Sequence, residues 1–414
     1  MKAKKRLLYF PLNVSLSILV FSELFLLIGP LYYNITNYTL LYFYLAVLNI
    51  AFYYGYKKGI KSSESSAFSF SKSLLSFILI AGLILTIRRM IHMWSGRGLE
   101  IAVYSLLYAI QNSGDVYHNA VELEKSSLIW IVLEPLRWAA IPLGIANWRK
   151  ISKRLKYVVI LTIVVEILAW LGIGTRKGLF DVMIIAFFLS VAASPQLITK
   201  DSNRKKLFIF VAIGLFVFLS YFVISGASRS GYNANEINMI AITKEIKPSY
   251  KDLPEGILYP LSSIEFYLSQ GYYSLAKGME LGIRPITFGG SGWYTIMLMN
   301  KFGYDPEPDT YIAAVEQFGI DRHVNWHTIY LWLASDLTFW GVPLFIFLIG
   351  YLFAISWKDV LTGKNQVAIP FFTLMLIMVF YFYANNQIMS FSFIPLLFWT
   401  VFYLRTRLKI ESRY

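Results

Sequence analysis

The run His323-Val-Asn-Trp-His327-Thr-Ile-Tyr330 sets two imidazoles four residues apart at the end of a long polar stretch, about Gly226 to His327. Imidazole titrates near neutrality, so either ring suits proton transfer or donation to a phosphate oxygen. An i, i+4 pair also puts two metal-ligating nitrogens on one helical face. Here, however, Val-Asn-Trp replaces the residues of a His-Glu-x-x-His motif and no third ligand is evident, so no metal is expected. The stretch contains no Gly-x-Ser-x-Gly elbow, which argues against a serine hydrolase. The cluster Gly289-Gly290-Ser291-Gly292 marks a tight turn, and no strand signal precedes it that would make it a nucleotide-binding loop.

A second set of chemically capable residues is basic. Arg88 and Arg89 close an apolar run, Arg176 and Lys177 fill the short turn Gly172-Ile-Gly-Thr-Arg176-Lys-Gly178, and Arg229 lies in Ser225-Gly-Ala-Ser-Arg229-Ser-Gly231. A guanidinium is a planar fork of donors that matches two phosphate oxygens, and Gly174, Gly178, Gly226 and Gly231 let backbone approach a bulky anion. These arginines make a candidate site for a lipid-linked phosphate or pyrophosphate, with contact to lipid head groups as the plainer alternative.

The elements that position these residues are membrane helices. The 414 residues are 57% hydrophobic and 15% charged, with mean hydropathy +0.55, whereas a soluble domain is about a quarter charged. Apolar runs able to cross about 30 Å of hydrocarbon occur near 7–29, 38–56, 73–90, 127–147, 156–174, 178–197, 206–225, 341–357, 367–384 and 388–405. Lys and Arg cluster at 2–6, 57–72, 149–156, 200–206, 358–364 and 405–413, which are alternate connections. The positive-inside rule then puts both termini in the cytoplasm and the 226–327 segment outside. That segment holds eight basic and eleven acidic residues. The formal charge of +14 is therefore topological, and no nucleic-acid partner is expected. Lys2, Lys4, Lys5 and Arg6 precede an apolar run that lacks a small-residue cleavage site, so a retained first span is expected. Without cysteine there is no disulfide, thiolate metal site or cysteine nucleophile.

Charged residues inside spans are costly and face partners or cavities. Glu134 and Arg137 share a helical face and are placed to pair, while Glu166 and Asp181 fall toward the outer ends of their spans. The stretch Leu99 to Tyr108 reads either as an amphipathic interfacial helix or as a plain loop.

The segment His327-Thr-Ile-Tyr-Leu-Trp-Leu-Ala-Ser-Asp-Leu-Thr-Phe-Trp-Gly341-Val-Pro-Leu-Phe resembles the bacterial O-antigen polymerase and ligase families. In them a histidine near an aromatic or aliphatic stretch precedes an acidic residue, a glycine and a hydrophobic span. The turn Gly174-Thr-Arg176-Lys-Gly178 is similar to their arginine-bearing turn, and a long external loop between late spans is their shared layout. The resemblance covers most of the chain as architecture and only these short segments as sequence. Some polymerases pair external loops carrying an arginine followed by a glycine about eleven positions later; Phe187 and Ile240 stand at those positions here, so that device is not carried over.

The resemblance implies an all-α polytopic integral membrane protein, glycosyltransferase-C-like, with about ten transmembrane helices. Seven would occupy 1–225, a large periplasmic loop 226–327, and the last three, with a cytoplasmic C-terminus, 328–414. It would work in the bacterial inner (cytoplasmic) membrane on oligosaccharides linked to undecaprenyl pyrophosphate. A Wzy-type polymerase transfers the growing glycan from its lipid pyrophosphate to the non-reducing end of a new repeat unit, building O-antigen, capsule or exopolysaccharide. A ligase would move the finished glycan to lipid A core, and a flippase would only transport the lipid-linked sugar. Membrane lipids and a chain-length regulator are candidate partners. The leaving pyrophosphate needs fixed positive charge, for which Arg176, Arg229, Arg88, Arg89 and Arg284 are candidates. The acceptor hydroxyl needs a base, for which His327, Glu265 and His323 are candidates. Tyr259, Tyr267, Tyr272, Tyr273, Trp293 and Trp326 offer flat faces for sugar rings. No Asp-x-Asp motif occurs in the loop, and Asp305-Pro-Glu-Pro-Asp309 reads as a rigid turn, so metal-independent transfer without a cofactor is expected.

Overall fold

The computed structural model describes residues 2–95, 103–111, 128–175, 177–200, 202–203, 205, 209, 245–322, 325–386 and 392–408. Backbone buried in hydrocarbon has no water to bond, so apolar runs of this length must satisfy their amides internally. They do so as helices: α1 (Lys2–Leu8), α2 (Phe10–Ile28), α3 (Tyr38–Lys61), α4 (Lys72–Ser95), α5 (Val103–Gln111), α6 (Leu128–Ala146), α7 (Lys153–Leu171), α8 (Lys177–Ala193) and α9 (Gln196–Thr199), then α10 (Glu255–Glu280), α11 (Trp293–Lys301), α12 (Tyr311–Ala314), α13 (Ile329–Thr362), α14 (Ala368–Phe380) and α15 (Phe393–Leu408). Among the described residues there is no β-strand, only isolated bridges between Leu31 and Ile246 and between Phe68 and Asn365.

Among the described residues, five helices are long and apolar enough to cross a membrane: α2, α3, α4, Ile129–Ala146 within α6, and α13. Helices also stand at four more of the ten expected positions, although α8, α14 and α15 are shorter and α7 carries Lys153, Arg154, Lys156 and Glu166. The expected span at 206–225 lies almost wholly outside the described residues. One boundary differs clearly: the span expected from 341 begins as helix at Ile329. The Thr328 hydroxyl accepts the Leu331 N–H (3.3 Å) and caps the start, and the helix is broken only at Thr338, whose φ is 57°. The expected choice between loop and helix around 99–108 resolves as α5, which buries Ser105 and Ala109 and exposes Tyr104, Leu107 and Tyr108.

Lipid-embedded helices gain little from burying apolar side chains against one another, so close backbone approach over small residues carries the packing. Gly55 and Gly59 of α3, a Gly-x-x-x-Gly pair, lie where any Cβ would run into the Phe347 and Tyr351 carbonyls of α13, and Gly350 of α13 faces the Phe52 carbonyl in the same way. Gly82 of α4 is similarly pressed on Ala140 of α6, and Gly144 of α6 on Val159 of α7.

The bundle has two chemically different ends. At one, Arg407 pairs with buried Asp359 (2.6 Å) and donates to Ser62 (2.9 Å), Lys358 donates to the Ser62 carbonyl (2.7 Å), and Lys364 pairs with Glu64 (2.8 Å). At the other, residues 245–322 and 325–328 are folded onto the helix ends. Tyr32 N–H donates to the Glu245 carbonyl (2.9 Å), Lys247 N–H to Pro30 (2.8 Å), Ile329 N–H to Phe382 (2.9 Å), and the Asn386 amide to Ser291 (2.6 Å). The described part of the polar segment is thus packed scaffold at this loop end, with α10 lying against the end of α2.

Candidate functional site at the loop end of the bundle

Two polar clusters occupy the loop end. The first is ionic and joins four helices. Arg89 of α4 pairs with Glu166 of α7 (3.1 Å), and Arg137 of α6 pairs with Glu166 (2.9 Å) and Glu134 (2.8 Å). The pairing expected of Glu134 and Arg137 is therefore present, and Glu166 joins it. The Trp170 indole donates to Glu166 (3.0 Å) and its ring lies beneath Arg89 (4.6 Å) and Lys177 (5.3 Å). Lys177 opens α8, pairs with Asp181, and Asp181 accepts from Tyr381 OH (3.0 Å). Arg88 differs from these: its guanidinium lies 3.7 Å over the Trp130 ring and, among the described residues, has neither a carboxylate partner nor a hydrogen bond. Arg88, Arg89, Arg137 and Lys177 thus gather around Glu134, Glu166 and Asp181. They border the 172–178 turn, where Gly172 backs onto Trp94 and Gly178 onto Trp170. Arg176 in that turn, and Arg229, lie outside the described residues, as does His323.

The second cluster is built on α10. Ser262, Glu265 and Ser269, at i, i+3 and i+7, share one helical face and all three are fully buried. Glu265 Oε2 accepts the Leu31 N–H (2.7 Å), and its carboxylate occupies the space where Gly29 lacks a side chain. Glu265 Oε1, Ser262 Oγ, Ser269 Oγ and the Tyr33 hydroxyl are buried without partners among the described residues. Lys247 arches over the same point, donating to the carbonyls of Leu27 (2.9 Å) and Gly29 (2.6 Å), and Tyr250 OH caps Ile28. Lys247 and Tyr250 thereby satisfy the carbonyls left open at the C-terminus of α2. Burial pushes the Glu265 carboxyl up to about 8, against the opposing pull of the Leu31 N–H and the Lys247 charge.

His327 sits elsewhere around α10. Its neighbour Trp326 donates its N–H to Gln270 (3.1 Å), and Thr328 backs onto Gly271. Five residues separate Glu265 from Gln270, which is about 140° around a helix, so the two candidate bases face different sides. His327 is buried with neither ring nitrogen partnered among the described residues, and burial pushes its imidazole down to about 3, with Asp321 opposing.

The remaining candidates are dispersed. Arg284 donates to the carbonyls of Asp309 (3.1 Å) and Pro308 (3.1 Å), so it pins the 305–309 turn. Tyr272 is fully buried with its hydroxyl 2.8 Å from Ser22, and the Tyr273 ring meets Tyr33 at a tilt (5.6 Å). Tyr267 and Trp326 meet edge to face (4.8 Å), Tyr259 is half-buried, and Trp293 is exposed. Among the described residues, no group of three or more His, Asp and Glu is placed to hold a metal.

Three polar residues carry roles that the sequence did not suggest. Asp336 fills the glycine turn: its Oδ1 accepts from Thr287 Oγ (2.6 Å) and Gly289 N–H (2.7 Å), and its Oδ2 from Ser291 N–H (3.2 Å). The turn therefore cradles an anion, but one belonging to its own chain. Glu23, buried in the middle of α2, receives both its hydrogen bonds from the Asn49 amide (2.8 and 3.0 Å). An acidic residue within an apolar run was the available signal for it. Lys247 had none, since nothing local marks a lysine as a helix cap. Compared with protein-family models, curated proteins and solved structures, the chain has no match. Its class is that of an all-helical membrane-embedded protein.

Proposed function

We propose that this protein is an integral-membrane glycosyltransferase that polymerises oligosaccharide repeat units carried on undecaprenyl pyrophosphate. In this reading the chain has ten spans in the bacterial inner membrane with both termini cytoplasmic, and the loop end faces the periplasm. The alternating basic connections support that orientation. The observation that carries the proposal is Arg88, a guanidinium over the Trp130 ring that, among the described residues, makes no ion pair or hydrogen bond, beside the carboxylate-compensated Arg89, Arg137 and Lys177. Its donor fork fits a pyrophosphate, and the neighbouring fixed charges suit the negative charge that develops as the pyrophosphate leaves.

For the acceptor, Glu265 suits the base role better than His327, because a carboxyl raised to about 8 is a far stronger base than an imidazole lowered to about 3. In the forward step Glu265 takes the proton of the acceptor hydroxyl, the hydroxyl oxygen bonds to the donor sugar's anomeric carbon, and that carbon's bond to the pyrophosphate oxygen breaks. Glu265 is fully buried under the 245–250 segment, so that segment has to lift from the end of α2 for an acceptor to enter.

Incubating the detergent-purified protein with lipid-linked repeat units should give a ladder of glycans. Unchanged single units with intact protein would remove the polymerase reading. Arg88→Ala should also lose binding of undecaprenyl pyrophosphate by native mass spectrometry, while Arg322→Ala, whose guanidinium is paired with Glu307 and Glu316, should keep it. Equal binding by both variants would remove the pyrophosphate assignment.

A further inference from the structure

We infer that residues 281–304, including α11, form a membrane hook that sits in the lipid leaflet at the loop end of the bundle. The observation is a set of large apolar side chains exposed in what should be a water-facing segment. Ile283 is 88% exposed, Phe288 79% and Phe302 82%, with Ile286, Trp293, Leu298 and Tyr304 exposed between and beside them. Soluble surfaces rarely gather this much apolar area without a partner, and α11 itself has no buried residue.

Three further facts identify the partner as lipid. The hook is continuous with the lipid-facing side of α13. Thr287 N–H donates to the Ser335 carbonyl (2.9 Å) and Asp336 holds Gly289, so Phe288 is fixed beside the start of that face. Trp340, 86% exposed, follows just past the break at Thr338, and the exposed Leu344 and Leu348 continue its stripe at i+4 and i+8. The charge also fits. Residues 281–304 contain Arg284 and Lys301 and no Asp or Glu, although the surrounding 226–327 segment holds eleven acidic residues. Aromatic and aliphatic side chains with a few cations are what the boundary between acyl chains and anionic head groups accepts. Finally, the hook is held rigidly. Asp336 clamps Thr287, Gly289 and Ser291, and α11 packs Thr295 and Met299 onto Gly289. Phe288 is thereby presented from a left-handed backbone (φ 53°) that a bulky residue seldom adopts.

The chain has no cysteine, so single labels can be placed without removing native thiols. Full-length Ile283→Cys, Phe288→Cys and Phe302→Cys would each carry a nitroxide in nanodiscs of phosphatidylethanolamine and phosphatidylglycerol. Leu344→Cys on the lipid face of α13 and Glu255→Cys at the exposed start of α10 serve as references. Collision with dissolved oxygen should exceed collision with a water-soluble nickel chelate at all three hook sites, as at Leu344→Cys. Nickel access equal to that of Glu255→Cys would overturn the inference. So would shielding from both reagents with dipolar broadening between labels, which would assign the face to a second copy of the chain. Because all three side chains are exposed, their replacement leaves packing intact, and three independent sites protect the outcome against one misfolded variant.

Discussion

If Glu265 is the base, polymerisation must follow its ionisation. With the carboxyl at about 8, roughly one tenth is ionised at pH 7 and nine tenths at pH 9, so the initial rate should rise about tenfold across that interval and then level. Glu265→Gln keeps an acceptor for the Leu31 N–H but cannot take a proton; it should lower the rate about a hundredfold to ten-thousandfold and abolish the rise. Lys247 supplies a sharper arm. Its charge pulls the Glu265 carboxyl down, so Lys247→Ala should move the midpoint of the rise to higher pH. The same shift has a stability consequence of opposite slope. Glu265 is raised from its ordinary 4.5, so the folded state binds its proton more tightly than the unfolded chain. The resulting stabilisation is complete below about pH 4.5 and is lost as pH rises through 8. Thermal unfolding in detergent should show wild type losing stability from pH 5 to 9 relative to Glu265→Gln, while activity rises over the upper part of that range. A rate flat or falling between pH 7 and 9, or a Gln variant that keeps the rising limb, refutes the assignment.

Other outcomes follow from the same contacts. Arg137→Met leaves Glu134 without its ion-pair partner and Glu166 dependent on Arg89, and should cost about 3–5 kcal/mol in reversible unfolding, whereas Arg88→Met should cost little because nothing is left unpaired. Gly55→Leu drives a side chain into the Phe347 carbonyl, which is backbone and cannot turn aside, so a loss of at least about 1–3 kcal/mol is expected by thermal shift. Asp336→Ala should speed hydrogen exchange at Gly289 and Ser291, whose N–H groups it accepts, without lowering protection in α3. Chelator should leave the glycan ladder unchanged; lost activity restored by a divalent ion would contradict metal-independent transfer.

Much of the bundle was legible because hydrocarbon leaves so few options. A run such as 38–56 has only one way to satisfy its backbone, and α3 duly covers it. Alternation of basic connections predicts which loops share an end, and Arg407, Lys358 and Lys364 do meet the 62–64 turn. Lys177 and Asp181 pair across one turn of α8, a spacing visible in the sequence. What was not legible is burial inside the polar segment. His327 has the residue type of a general base, and only the packing of Gln270, Gly271 and the 382–386 turn around its neighbours encloses it. Glu265 looked like one loop acid among eleven, and only the missing side chain of Gly29, 236 positions away, explains how a carboxylate fits there. The glycine turn at 289–292 makes the same point from the other side. Its amides do converge on an anion, but the ligand is Asp336, which a distant kink in α13 supplies. Residue type therefore indicates what a group can do, while the partner that decides whether it does so arrives from a remote part of the chain. Arg88 and Glu265 Oε1 are still without a bonded partner after the fold has placed every described neighbour, and so are left open to a substrate.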